Sequence, residues 1–148
     1  MKPDPQAVLG YLTELLLSQV APKAQPPYLA GTIGMVGTAL AVLTEEWDRA
    51  ASRLVEENRA IRALLRRAET LSLSAELARD LRALAGGDDE DLRLSALDAG
   101  NSELRGALIR LQTAIETRKD AAAEALNAAI WSELVASTER RRLTGAPF

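Results

Sequence analysis

Hydrophobic residues recur three and four positions apart along most of this 148-residue chain, the spacing of one face of an α-helix. Val8, Leu9, Leu12, Leu15, Leu16 and Val20 make a first amphipathic helix. Asp4 is placed as its N-cap, Pro5 stands at the first helical position, and Ala21-Pro22 ends it. The stretch from Pro22 to Pro27 is a proline-rich connector. Leu29, Ile33, Val36, Leu40, Leu43, Trp47, Leu54, Ile61 and Leu65 then hold a single helical phase. Unbroken phase predicts one long helix from Leu29 to about Arg67, or two that bend without changing face, with Thr44 and Ser52 as the cap positions for a break.

Thr70 to Ser74 reads as a linker, with Ser74 an N-cap and Glu76 near the positive helix end. Leu77, Leu81 and Leu84 mark a short helix that stops at Gly86-Gly87. Asp88 to Asp91 starts another short helix through Leu97, closed by Gly100, and Asn101 is placed to cap the next helix. Leu104, Leu108, Leu111, Ile115, Ala122, Leu126, Ile130 and Leu134 again keep one phase up to about Leu143, and the tail from Thr144 to Phe148 is expected to fray. Strand-like alternation of useful length and internal repeats are absent from the sequence.

A compact domain of this length has a radius of gyration of about 15 Å, whereas a continuous helix of some 40 residues is roughly 60 Å long. Either both helices bend near their middles, at Thr44 to Asp48 and Thr117 to Asp120, or they stay extended and outrun the short ones available to cover their apolar stripes. The expectation is an all-α fold forming a single helical domain over 1–148. Its form would be an elongated antiparallel bundle of about five helices, two of them long, assembled as a homodimer.

Composition narrows the chemistry. The chain has no His and no Cys, which excludes Ser-His-Asp and Cys-His relays, imidazole metal sites, zinc ribbons and disulfides. No catalytic residue, metal ligand or cofactor is assigned. Eighteen basic against 21 acidic residues give a net charge of −3, which argues against nucleic-acid binding, since phosphate neutralisation needs a basic face. Met1-Lys2-Pro3-Asp4-Pro5 lacks the apolar region of a secretion signal, so the expected address is cytoplasmic.

The run from Tyr28 to Thr44 carries no charge and contains Gly31, Gly34 and Gly37. A glycine inside a helix costs about 1 kcal/mol relative to alanine, so three of them point to close approach by another helix, including a dimer seam, or by a ligand. The run is shorter than the roughly 20 residues a bilayer needs, and Glu45-Glu46 follows it, so no membrane span is expected. Tyr28, Gly31, Gly34, Gly37, Trp47 and Trp131 are therefore the candidate contact residues. The arginines from Arg49 to Arg67 interleave with Glu45, Glu46, Asp48, Glu56 and Glu57 and read as a solvated face with modest ion pairs. Asp88 to Asp91 reads as acidic residues at a helix start, and Arg140-Arg141-Arg142 as basic ones at a helix end.

Asp4-Pro5-x-x-Val8-Leu9, Val20-Ala21-Pro22, Tyr28 before a small-residue helix leading to Ala41-Val42-Leu43 and Glu45, and Ile130-Trp131-x-x-Leu134 followed by Glu139-Arg140-Arg141 together carry a likeness. In these segments the chain resembles a family of short, all-helical bacterial proteins encoded beside acyl-coenzyme-A dehydrogenases and aminoglycoside-phosphotransferase-like kinases. The resemblance covers about the first third and the last tenth of the chain and brings no catalytic motif. It implies a cytoplasmic accessory protein with one of those enzymes as partner. The expected function is a non-catalytic helical interaction protein linked to acyl-coenzyme-A metabolism. The alternatives are a bundle that binds an acyl chain between its helices and an enzyme built on carboxylates and arginine.

Overall fold

The computed structural model describes residues 4–144. Among them the chain is helix and loop without strand: α1 Pro5–Glu14, α2 Pro27–Arg67, α3 Ala75–Ala85, α4 Leu94–Ile115 and α5 Ala121–Arg141. α1 runs on into a π-helical stretch, Leu15–Val20, and a 3-10 turn, Ala21–Lys23, and a second 3-10 turn, Ala68–Thr70, follows α2. The expected all-α class with five helices is what the chain adopts. By its internal contacts the described chain divides into two compact units, one of residues 4–50 together with 142–144, the other Ala51–Arg141. This is a finer division than the single helical domain expected over 1–148, and α2 supplies residues to both units.

In the first unit, Asp4 caps α1 as expected, its carboxylate accepting from the Gln6 amide at 3.1 Å. No residue of α1 or of the two turns after it is buried. Leu16 and Leu17 lie against Gly37 of α2, so close that a β-carbon there would sit 2.6 Å from Leu17 Cδ2. Gly37 is thus a glycine because a neighbouring helical turn needs its space. The Thr144 amide donates to both oxygens of Glu45, at 3.0 and 3.1 Å. That bond, against a small desolvation and with help from Arg49, holds the Glu45 carboxyl below its ordinary value. Thr144 is therefore tied down, while the rest of the tail expected to fray, and Met1 to Pro3, lie outside the described residues.

The second unit carries a closed core. Ile61, Leu64, Leu65 and Ala68 of the α2 end pack with Leu81 and Ala85 of α3, with Leu104, Ala107, Leu108, Leu111 and Ile115 of α4, and with Ala123, Leu126 and Ile130 of α5. Ser74 caps α3 by accepting from the Leu77 amide at 3.3 Å. Asp120 does the same for α5 through the Ala123 amide at 3.0 Å. Bonds from that amide and from Arg118 keep the Asp120 carboxyl low.

Two stretches differ from the periodicity. The second long phase is cut at residues 116–120, so one helix, α2, is long rather than two. Asp120 offers a fresh N-cap there while the apolar residues on either side keep pointing to one core. The short helix expected from Asp88 to Gly100 is absent as such: α4 starts at Leu94 and runs through Gly100. Asn101 is not a cap but a buried residue of the α4 interior. α2 itself is the unbroken long helix expected from Leu29 to about Arg67; at Thr44 the hydroxyl bonds back to the Leu40 carbonyl at 2.7 Å.

Candidate functional site

Two features stand out from helix packing alone: an uncovered apolar surface in the first unit and a buried polar cluster in the second. The surface is built on α2. Leu29, Val36, Leu43 and Trp47 follow one stripe of the helix and are 38, 50, 55 and 59 % exposed. Farther along the same helix, in-phase Leu54, Ile61 and Leu64 are buried. The pattern that seals the second unit is therefore largely open in the first, where only Ile33 and Leu40 of the stripe are half-buried. Val8, Tyr11 and Leu12 of α1 are exposed as well.

Sequence-marked residues separate here. Gly37 is engaged within the chain by Leu17, whereas Gly31 and Gly34 have nothing within 4 Å of where a β-carbon would be. Tyr28, at 76 % exposure, and Met35 share the open side with them. Thr32 and Thr38 return their hydroxyls to the carbonyls of Tyr28 and Gly34, at 3.3 and 3.0 Å, which leaves that side uncharged and nearly free of unsatisfied donors. Trp131 belongs to the second unit, more than half exposed on α5 beside exposed Val135. By length and composition α2 is the one helix among the described residues able to cross a membrane, and only 6 % of its apolar window is buried.

The open glycine has a direct consequence. Gly34→Ala is expected to stabilise the helix by about 0.5–1 kcal/mol, since it adds helix propensity without contact. Gly37→Ala is expected to gain nothing, because its methyl must displace Leu17. Thermal melts of the two variants followed by circular dichroism check the contrast.

The polar cluster ties α2, α4, α5 and the loop before α4 together. Glu57 is fully buried. Its Oε1 accepts from Ser137 Oγ and from Arg141 Nε, both at 2.9 Å. Its Oε2 accepts from Arg141 Nη2 at 2.7 Å and Asn101 Nδ2 at 3.4 Å, with Arg105 Nη1 at 3.6 Å. The same Asn101 amide donates to Asn58 Oδ1 at 2.9 Å, and Asn58 Nδ2 in turn donates to Asp89 Oδ1 at 2.9 Å. Arg62 closes the chain with a two-pronged pair to Asp89, 2.9 Å on each oxygen, and a bond to the Asp88 carbonyl at 3.2 Å.

Burial pushes the Glu57 carboxyl up, but bonds from Arg141 and Ser137 and the charges of Arg141 and Arg105 outweigh it and hold the group below its ordinary value. Asp89 is lowered chiefly by Arg62, with burial opposing and Asn58 assisting. Both carboxylates are ionised at neutral pH with their oxygens taken up by donors, so the cluster acts as a fastener between helices. Charge-assisted and two-pronged bonds of this kind fix geometry strongly.

Sequence reasoning placed these residues elsewhere. Glu57 and Arg62 were expected on a solvated face, yet both are buried. Asp89 was expected at a helix start, yet it lies in the loop before α4 and serves Arg62. Arg141 does end a helix, but its guanidinium clasps Glu57. The signal available was positional: Glu57 falls between Leu54 and Ile61, and Asn101 between Leu97 and Leu104, each in phase with the apolar stripe of its helix. A polar residue in such a stripe marks an interhelical bond.

Compared with protein-family models, with curated proteins and with solved structures, the chain matches none.

Proposed function

We propose that this chain is a non-catalytic helical interaction protein, its first unit the adhesive part and its second unit the packed scaffold. One observation carries the reading: a single apolar stripe on α2 is buried from Ala50 onward but exposed at Leu29, Val36, Leu43 and Trp47, with Ile33 and Leu40 between them half-buried. Helices with an apolar face are stable by burying it against another element, and a contiguous exposed apolar area marks an interaction site. Aromatic residues at such places, here Trp47, are the side chains that dominate interface energies.

The resemblance of the first and last segments directs the search for a partner toward an acyl-coenzyme-A dehydrogenase or a phosphotransferase-like kinase. Tagged full-length chain purified from its native host is expected to bring such an enzyme with it. Val36→Ser/Leu43→Ser chain, altered only at exposed positions of the stripe, is expected to lose at least nine-tenths of that recovery. Equal recovery with both chains, or none with either, overturns the proposal. Binding of an acyl-coenzyme A by the purified chain, seen as a thermal shift, would favour the acyl-carrier alternative instead.

A further inference from the structure

We infer that the end of α5, from Val135 to Arg141, is a latch that opens in acid while the rest of the second unit stays folded. The helix is held in two different ways along its length. Ala123, Leu126 and Ile130 are buried in the shared core, and half-buried Leu134 packs against it. Past Leu134 little apolar surface is covered: Val135 is 64 % exposed, Ala136 is half-buried, and Ser137 is the one residue of this stretch that is buried. A void of about 10 Å³ lies where the grip changes, its walls including Ile61, Leu108, Leu134, Glu57 and Ser137. That is no more than the smallest space a water occupies, so packing is thinned there without a partner gained.

What replaces the apolar grip is a set of ties that end on carboxylates. Ser137 Oγ and Arg141 Nε both donate to Glu57 Oε1 at 2.9 Å, and Arg141 Nη2 donates to Oε2 at 2.7 Å. Arg140 pairs with Glu56 at 3.7 Å and with Glu133. In the first unit the Thr144 amide likewise rests on a carboxylate, Glu45. Glu57 is the centre of the set, because its two oxygens take the bonds from both Ser137 and Arg141. Protonation cancels the charge that draws Arg141. It also turns one oxygen into a donor, facing the Arg141 guanidinium and the Asn101 amide nitrogen, which can only donate.

The charged groups around Glu57 are Arg53 and Glu56 on α2, Arg105 on α4, and Glu133, Arg140 and Arg141 on α5. Burial raises the Glu57 carboxyl, and the bonds from Arg141 and Ser137 with the charges of Arg141 and Arg105 more than reverse this. A carboxyl lowered in this way keeps its ties above the ordinary range and loses them as pH falls through the depressed value. The core side chains Leu65, Leu111 and Ile130 are fully covered and carry no titrating atom, so that step leaves them untouched. Segments with little buried apolar area open at lower cost than the unit that carries them. The α5 end therefore goes first. The helix has a conditional length, complete at neutral pH and shorter by roughly two turns in acid.

Amide hydrogen exchange on the full chain tests the latch, read residue by residue by NMR from about pH 7 to about pH 2 and corrected for the intrinsic effect of pH. Protection of Val135 to Arg141 is expected to fall by about tenfold or more at a pH where Leu104 to Ile115 still keep theirs. Ordinary fraying of a helix end carries no such pH dependence, so latch protection that stays constant across the series overturns the inference. Loss in both segments at one pH overturns it too, because the unit then opens as a whole. Arg141→Gln cuts the clasp at a side chain that is 44 % exposed and leaves the core intact. Its Val135 to Arg141 amides are expected to be about tenfold less protected already at neutral pH, with those of Leu104 to Ile115 unchanged. Unaltered protection in that variant overturns the role given to the Arg141–Glu57 pair.

Discussion

Glu57→Ala is expected to destabilise the second unit by about 2–4 kcal/mol, a large fraction of the roughly 5–15 kcal/mol that holds a domain together. Truncation leaves the Ser137 hydroxyl and one bond of the Asn101 amide without their acceptor in a buried setting. Arg141 and Arg105 lose this carboxylate too, but their side chains are 44 and 39 % exposed and can turn to water. That keeps the loss below what a fully enclosed pair would show. Glu57→Gln preserves the shape yet sets an amide N–H₂ against donors, so it recovers little. Urea denaturation followed by circular dichroism measures both variants.

The same group gives the second unit an acid dependence of defined sign. A carboxyl whose pKa is lower folded than unfolded binds its proton first in the unfolded chain, so stability falls as pH falls. Glu57 and Asp89 are both lowered. Their contribution is expected to be complete above about pH 5, beyond the ordinary carboxyl range near 4, and to be lost as pH drops through the depressed folded values. In Glu57→Gln the slope over that window should flatten. A slope equal to that of the unaltered protein would show that the carboxylate is not held by its neighbours.

The second large effect concerns packing. Leu111 is completely covered at the centre of the α4 contribution to the core. Leu111→Ala is expected to cost about 2–5 kcal/mol, the removed atoms plus the cavity they leave. Trp131→Ala removes far more atoms from the same unit, yet Trp131 is 58 % exposed, and its loss is expected to cost about 1 kcal/mol or less. The reversed order, with the tryptophan the more costly of the two, would mean that Trp131 is covered by something and that the closed core is misplaced.

Helix identity was legible because Leu and Ile positions such as Leu104, Leu108 and Leu111 keep phase with one buried face. Coverage was not, because periodicity reports which residues share a face and says nothing about what lies over it. Leu43 and Leu64 obey the same rule in the same helix, and one is bare while the other is buried. Gly100 looked like a stop, but an interior glycine costs only about 1 kcal/mol, and burial of Leu97 and Leu104 on either side outweighs it. The gap at residues 116–120 falls at the bend weighed for Thr117 to Asp120, but the apolar positions resume in phase behind it, so periodicity alone could not choose between a bend and one straight helix. Of the surface, Tyr28 and Trp47 were marked by type, whereas Met35 and Val36 carried no chemical flag. The fastener of Glu57, Asn58, Asn101 and Arg62 was written in the sequence as polar letters inside apolar stripes, but its pairing joins residues up to 84 positions apart, which no local pattern encodes.

That span sets an order of events during synthesis. The ribosome must deliver Arg141 before Glu57 can find its strongest clasp, so the second unit cannot lock while the chain is still growing through α5. The exposed stripe of α2 emerges far earlier, in a nascent polypeptide whose closed core is unfinished.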